Sequence, residues 1–301
     1  MNEKRTDLAA EARDLWRESA GAGVLPDGVA ADTETVGGYT VETLRVLDER
    51  GAEALGKPVG TYITVELGEL LAKEEGAFDR GAELLASRLR SLLGPDRKAD
   101  VLVAGLGNSA ITPDDLGPRS ADYVLATRHL TESLPEHFGF LRRVSVVKTG
   151  VCGVTGVESA EMVRALVSAL RPSAVIAVDA LASRRLGRVC RTVQLSDAGI
   201  IPGSGVGNSR AELSLRTLSV PVIAVGVPTV VDAATLAADL AEMANIGKFD
   251  SEDFGSFGRS MIVTPREIDA RIEDISKLIG YALNLALQDE LSVADITQLL
   301  S

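Results

Sequence analysis

The stretch Val101-Leu-Val-Ala-Gly-Leu-Gly-Asn108, continuing through Ser-Ala-Ile-Thr112-Pro-Asp114-Asp115-Leu-Gly-Pro118, decides how the chain reads. A short apolar run bounded by turn residues is the pattern of a fully buried strand, and Gly105-Leu-Gly107-Asn108 imposes a sharp turn at its carboxyl end. The two aspartates therefore arrive just beyond a strand end. In open α/β sheets ligands and chemistry collect there, because loops from neighbouring parallel strands converge on the crevice outside their carboxyl ends. Ala174-Val-Ile-Ala-Val-Asp179-Ala-Leu repeats the arrangement, a second apolar run that ends on a lone carboxylate.

Working outward, Val222-Ile-Ala-Val-Gly-Val227 reads as another buried strand and Val189 to Leu195 as a further one. Helical patterns precede the Val101 and Ala174 strands: Ala82, Leu85, Leu89 and Leu92, stopped by Gly94-Pro95; then Met162, Leu166 and Leu170, introduced by Thr155-Gly-Val-Glu158 as a capping box. Asp232 is placed to cap an Ala-rich helix, and Thr264-Pro-Arg-Glu267 to start a long one bearing Ile268, Ile272, Ile275 and Ile279. The alternation predicts a helix-covered, largely parallel α/β sheet with strands at 101–106, 174–179 and 222–227. Upstream, Thr33 to Val36, Gly38 to Leu44 and Gly60 to Leu67 alternate apolar and polar residues, which predicts a smaller subsidiary β-sheet over 33–67. Leu8 to Arg17 is helix-prone, and Gly21 to Gly28 reads as a connector. Phe249 to Gly258, rich in Asp, Ser and Gly, reads as an exposed loop.

The 301 residues, 46% hydrophobic and 25% charged, suit one large α/β domain. A net charge of −12 argues against nucleic-acid or anionic-membrane partners, which need clustered Lys and Arg. The charged N-terminus lacks the apolar core of a signal peptide, and no run approaches transmembrane length, so an acidic cytoplasmic protein is expected. Cys152 and Cys190 have neither disulfide-framework nor zinc spacing and read as small core residues.

Several chemistries fit poorly. Gly105-x-Gly107 lacks the third glycine and the helix of a dinucleotide fingerprint, and Gly203-Ser-Gly-Val-Gly207-Asn208 lacks the Lys-Ser/Thr of a phosphate loop. Only His129 and His137 could serve a triad, and no nucleophile elbow is present. A metal bound by Asp114, Asp179 and a histidine would not match any motif. A carboxylate pair remains. Asp114 and Asp179 at neighbouring strand ends would raise one another's pKa and so supply an acid and a base around one water. The competing reading is that Asp114 and Asp115, after Thr112-Pro113, simply favour a helix start.

The chain also resembles the spore germination proteases of endospore-forming bacteria. The motifs are Arg5-Thr-Asp-Leu-Ala9, Gly60-Thr-Tyr-Ile-Thr-Val-Glu66, Gly105-Leu-Gly-Asn108 with Thr112-Pro-Asp, Leu116-Gly-Pro118, Thr127-Arg-His-Leu130, Gly153-Val-Thr-Gly-Val-Glu158, Ala177-Val-Asp-Ala-Leu-Ala182, Pro202-Gly-Ser-Gly-Val-Gly-Asn208 and Gly226-Val-Pro-Thr-Val-Val-Asp232, and together they cover nearly the whole chain. The resemblance implies a phosphorylase/hydrolase-like fold similar to the hydrogenase maturation proteases. It implies an endopeptidase that degrades the small acid-soluble proteins coating spore DNA, in the cytoplasm of the forespore or spore core. It implies a homotetrameric, self-processing zymogen needing no cofactor and no metal, and it places the essential aspartates on Asp114 and Asp179. Asp115 departs from the family pattern, in which a small residue such as Ala follows the first aspartate. The family cuts after an acidic residue and before a bulky apolar one. Thr6-Asp7-Leu8-Ala9-Ala10-Glu11 has that order, so Asp7 and Leu8 are the expected processing site, residues 1–7 a propeptide, and 8–301 one peptidase domain. Two other readings stay open at this level: a nickel- or zinc-dependent peptidase of the same fold, and a non-enzymatic binding module.

Overall fold

The computed structural model describes residues 6–20, 25–204, 210–244 and 261–301. Its centre is a nine-stranded sheet in the order β1-β2-β3-β7-β8-β6-β4-β5, with β9 paired to β8. The strands are β1 (Val29–Val36), β2 (Tyr39–Val46), β3 (Gly60–Glu66), β4 (Val101–Leu106), β5 (Val144–Gly150), β6 (Ala174–Ala182), β7 (Thr192–Ser196), β8 (Val222–Asp232) and β9 (Ile262–Val263). β8, β6, β4 and β5 run parallel. β4 is buried along its whole length, as both faces of a parallel centre must be when helices cover them.

The alternation of side chains sorts the core into two layers. Val101, Val103, Ile176, Val178, Ile223 and Val225 face the helices Ala77–Leu93 and Ile268–Leu287. Leu102, Ala104, Leu106, Val175, Ala177 and Val222 face the helix Ser159–Leu170. On that second face, toward the β1 edge, a smaller cluster of Ala9, Leu44, Val46, Leu55 and Tyr62 lies under the N-terminal helix Ala9–Ala20.

The 33–67 strands do form an antiparallel unit, but it is not a separate sheet. β3 pairs with β7 and β7 with β8, both antiparallel, so the unit continues the main sheet edge to edge. The reason is packing: Val193 and Leu195 of β7 bury on the same side as Ile63 and Val65 of β3, giving one unbroken apolar layer. Helix starts also shift. The capping box before Ser159 is made by Glu158 and Glu161 rather than Thr155, whose hydroxyl instead accepts from the Val157 N–H in the turn before it. The long helix begins at Ile268, because Ile262 and Val263 are drawn into β9 and the Thr264 hydroxyl donates to the Thr229 carbonyl. Asp232 caps as expected, accepting from the Thr235 N–H at 2.8 Å. The 249–258 loop lies outside the described residues, as does most of 203–208. No helix among the described residues is long and apolar enough to cross a membrane.

Candidate active site

β4 and β6 are adjacent parallel strands; Asp114 lies in the turn that follows β4, and Asp179 within β6, three residues before its carboxyl end. After β4 the chain turns through Gly107 at φ 117, a conformation that L side chains rarely adopt, and a Cβ there would collide with the Asp114 carbonyl. Gly105 likewise leaves room for the Gly117 backbone. These glycines bring backbones together and do not cradle a phosphate. The turn folds the loop back, so that the Asn108 N–H donates to Asp114 Oδ2 at 2.9 Å and to the Asp114 carbonyl at 3.1 Å. Asp179 is 4% exposed, with the Ala180 N–H donating to its Oδ1 at 3.0 Å.

Burial pushes the Asp179 carboxyl well above the usual carboxylate range, and the charges of Asp114 and then Asp7 add to the rise against the Ala180 N–H. Asp114, half-buried, is also raised, first by burial and then by Asp115, with the Asn108 N–H opposing. Carboxyls that both resist ionisation keep their protons into a pH range where ordinary aspartates have lost theirs. Asp115 is engaged elsewhere: it accepts from Arg119 Nε at 2.8 Å, and Arg119 also reaches Glu273 at 2.8 Å.

The N-terminal segment lies across this site. Asp179 pairs with Gly226 across the sheet, and Gly226 pairs with Gln194; the row continues through Thr64 to Glu42. In register, these side chains share one face of the sheet. The segment crosses the same face and is pinned at three of these strands: Asp7 at Ala182 of β6, Ala9 at Gln194 of β7, and Arg13 in an ion pair with Glu42 of β2. The Asp7 carboxylate accepts from the Ala182 N–H at 2.9 Å and from Ser204 Oγ at 2.5 Å. Leu8 is fully buried, which contributes about 1.5–3 kcal/mol to seating the segment. Glu11 accepts from Ser183 Oγ at 2.7 Å and from the Arg184 and Arg185 N–H groups at 2.8 and 2.9 Å.

The structure thus brings Asp7, Leu8, Asp114 and Asp179 into one neighbourhood. Sequence reasoning missed Lys57, Gln194 and Ser204, which also line it. Lys57 follows the helix Glu49–Leu55, whose last turn is closed by Gly56 at φ 61; Lys57 Nζ donates to the Thr6 carbonyl at 2.8 Å and the Asp7 carbonyl at 3.0 Å. Gln194 is one of three buried polar residues in β7, with Thr192 and Ser196, and nothing in its neighbours marks it. His129 and His137 are exposed on the short helices Arg128–Ser133 and Pro135–Phe138. Burial pushes the Cys190 thiol up to about 12, as befits an inert core residue. Among the described residues no group of His, Cys, Asp and Glu side chains is arranged to hold a metal ion.

The germination protease family model matches residues 9–248. A germination protease of Caldanaerobacter subterraneus subsp. tengcongensis is 42% identical over 98% of this chain and 98% of its own. One of Clostridium perfringens is 38% identical over the whole of both chains, and one of Bacillus licheniformis 35% identical over 96% of this chain and 94% of its own. Among solved structures, a [NiFe] hydrogenase maturation protease, HycI from Thermococcus kodakarensis KOD1, aligns with a TM-score of 0.36 at 17% identity, covering 65% of this chain and 98% of that one. By the extent of the family match and the identities over nearly full length, the chain belongs to the germination protease family.

Proposed function

We propose that this chain is the endopeptidase that opens the degradation of small acid-soluble spore proteins during germination, using Asp114 and Asp179 as a proton-sharing pair. The ionised carboxylate takes a proton from water as the water attacks the peptide carbonyl, and the protonated one donates toward the carbonyl oxygen. The same site cuts the chain's own Asp7–Leu8 bond, releasing residues 1–7 as a propeptide and leaving 8–301 as the peptidase domain. Homotetrameric assembly and residence in the forespore or spore core belong to the same proposal and rest on the family resemblance.

One observation carries the reading. The Asp7–Leu8 segment lies across the sheet face that bears Asp179, close enough for the Asp7 charge to act on that buried carboxyl. An acid-then-apolar pair placed beside two carboxyls with raised pKa values is what an aspartate-dependent peptidase needs as substrate. The donor set favours this over metal-dependent cleavage, since the pair has no third ligand among the described residues.

The test is incubation of the purified chain with a small acid-soluble spore protein, reading cut sites by mass spectrometry for wild type, Asp114→Asn and Asp179→Asn. Cuts after acidic residues in wild type and none in either variant are expected. Full activity in either variant, or loss of wild-type activity to a chelator alone, would overturn the reading.

A further inference from the structure

We propose that Lys57 and Gln194 form the donor pair that grips and polarises the carbonyl of the bond to be cut, which makes Lys57 a further catalytic residue of the peptidase. This rests on the reading of Asp114 and Asp179 given above and adds two donors on the carbonyl oxygen beside the protonated carboxyl.

The two donors converge on one carbonyl. Lys57 Nζ lies 3.0 Å and Gln194 Nε2 3.4 Å from the Asp7 carbonyl oxygen. An amide oxygen has two lone pairs and can accept from both donors. Gln194 also reaches past the bond: its Oε1 accepts the Ala9 N–H at 2.8 Å, so one amide side chain spans Asp7 to Ala9 and fixes the main chain around Leu8. Leu8 itself has its N–H on the Thr6 hydroxyl at 3.1 Å. Gln194 and Asp179 flank Gly226 in the same cross-strand row, on one face of the sheet. At about 4.8 Å between strands, their backbones are about 10 Å apart.

Lys57 is half-buried and places its charge on main-chain carbonyls, those of Thr6 and Asp7. An ammonium costs free energy to desolvate, and burial lowers the Lys57 pKa while the Asp7 and Glu11 carboxylates hold the proton on. A tether for the N-terminal segment could be built from neutral donors. A fixed positive charge is of most use where negative charge develops, as it does on a carbonyl oxygen under attack.

The step balances as follows. Water adds to the Asp7 carbonyl carbon, its proton passes to the ionised carboxylate, and the carbonyl π pair moves onto oxygen, which faces Lys57 Nζ and Gln194 Nε2 and takes a hydrogen bond from the protonated carboxyl. The pair then falls back to reform C=O, the carbon–nitrogen bond to Leu8 breaks, and the proton taken from water goes on to the Leu8 nitrogen. The dyad ends with the number of protons it began with. In turnover of a separate protein chain, the acidic residue before the cut takes Asp7's place against the Ala182 N–H and Ser204.

The experiment follows self-processing of the full chain at mildly acidic pH by mass spectrometry, with hydrogen exchange at the Ala9 and Ala182 amides of the uncut chain as the readout of seating and circular dichroism as the check on folding. Lys57→Met is expected to slow appearance of the Leu8 terminus about 10²–10³-fold, the usual loss on removing one oxyanion donor, with amide protection retained. Lys57→Arg should recover part of the rate, and Gln194→Leu should lose less than Lys57→Met. If Lys57→Met does not fold, the Lys57→Arg and Gln194→Leu rates decide, and wild-type rates in both would overturn the proposal. Processing of Lys57→Met at close to the wild-type rate, or a loss explained by lost protection at Ala9 and Ala182, would also overturn it. Wild type that stays uncut, or Asp179→Asn that processes normally, would instead sink the dyad, and the clamp with it.

Discussion

Gln194 of β7 and Asp179 of β6 share one register partner, Gly226 of β8, which each meets from the opposite side. Their separation is therefore set by the sheet rather than by side-chain packing, and the N-terminal segment is laid across that fixed frame by Ala9, whose N–H is held by Gln194. The proposed cleavage of the Asp7–Leu8 bond depends on which groups this frame aims at it.

The carboxyl pair gives the largest expected effect. Asp114→Asn and Asp179→Asn should each lower the processing rate about 10²–10⁴-fold, the range over which general acid–base groups act, while the far-ultraviolet circular dichroism stays that of wild type. Stability should move the other way for Asp179→Asn. A carboxyl whose folded pKa is raised contributes stability at low pH that disappears as pH climbs through that folded pKa. Each unit of elevation corresponds to about 1.4 kcal/mol. At pH 8 the amide, which never ionises, should therefore melt higher than wild type, and at pH 4 the difference should shrink. A variant that melts lower at pH 8 would contradict the raised pKa.

Self-processing should depend on pH in a definite direction. At alkaline pH both carboxyls are ionised and the pair lacks its acid. As pH falls through the raised carboxyl pKa values one proton binds and the rate should climb. It should fall again at lower pH, once both are protonated. Rates measured between pH 4 and 8 should trace a bell; a monotonic rise toward alkaline pH would point to a different general base.

Gly107→Ala tests how Asp114 is placed. At φ 117 an alanine is strained by about 1–3 kcal/mol, and its Cβ meets the Asp114 carbonyl, so the loop has to shift. Misplacing a reactive group by about 1 Å can cost 10²-fold in rate. Thermal melting should register the strain and processing the displacement. Wild-type values in both would mean that the turn does not set the carboxylate.

How much of this was legible in the sequence varied with the range of the forces involved. β4, β6 and β8 were readable because continuous burial writes continuous apolar runs, although β6 continues past Asp179 to Ala182 and β8 past Val227 to Asp232. The union of the 33–67 strands with the main sheet was not, because β7 reads as an ordinary short strand and register with β3 and β8 is a long-range choice. The cap at Glu158 was misassigned to Thr155, since both are helix-start residues and only the turn at Gly156 decides between them. Asp7 and Leu8 were visible as a local string. Lys57, Gln194 and Ser204 were silent, because they matter through contacts with a segment far away in sequence.

The seat of the acidic side chain predicts preference at the cut. Asp7 accepts from the Ala182 N–H and Ser204, and charge-assisted bonds of this kind are worth about 1.5–3 kcal/mol. Asp7→Ala should slow processing by about 10–100-fold, since each 1.4 kcal/mol is tenfold in rate. Ser204→Ala should give a smaller loss, as the backbone donor remains. Equal rates for Asp7→Ala and wild type, followed by intact mass, would mean that the carboxylate seat does not steer cleavage.

The most direct measurement is the N-terminal sequence of the full-length chain after incubation near pH 6, for wild type beside Asp179→Asn. The expected result is a new terminus at Leu8 in wild type and an intact terminus in the variant. A mature end at any other residue, or a Leu8 terminus that still appears in Asp179→Asn, would contradict cleavage of the Asp7–Leu8 bond by this site.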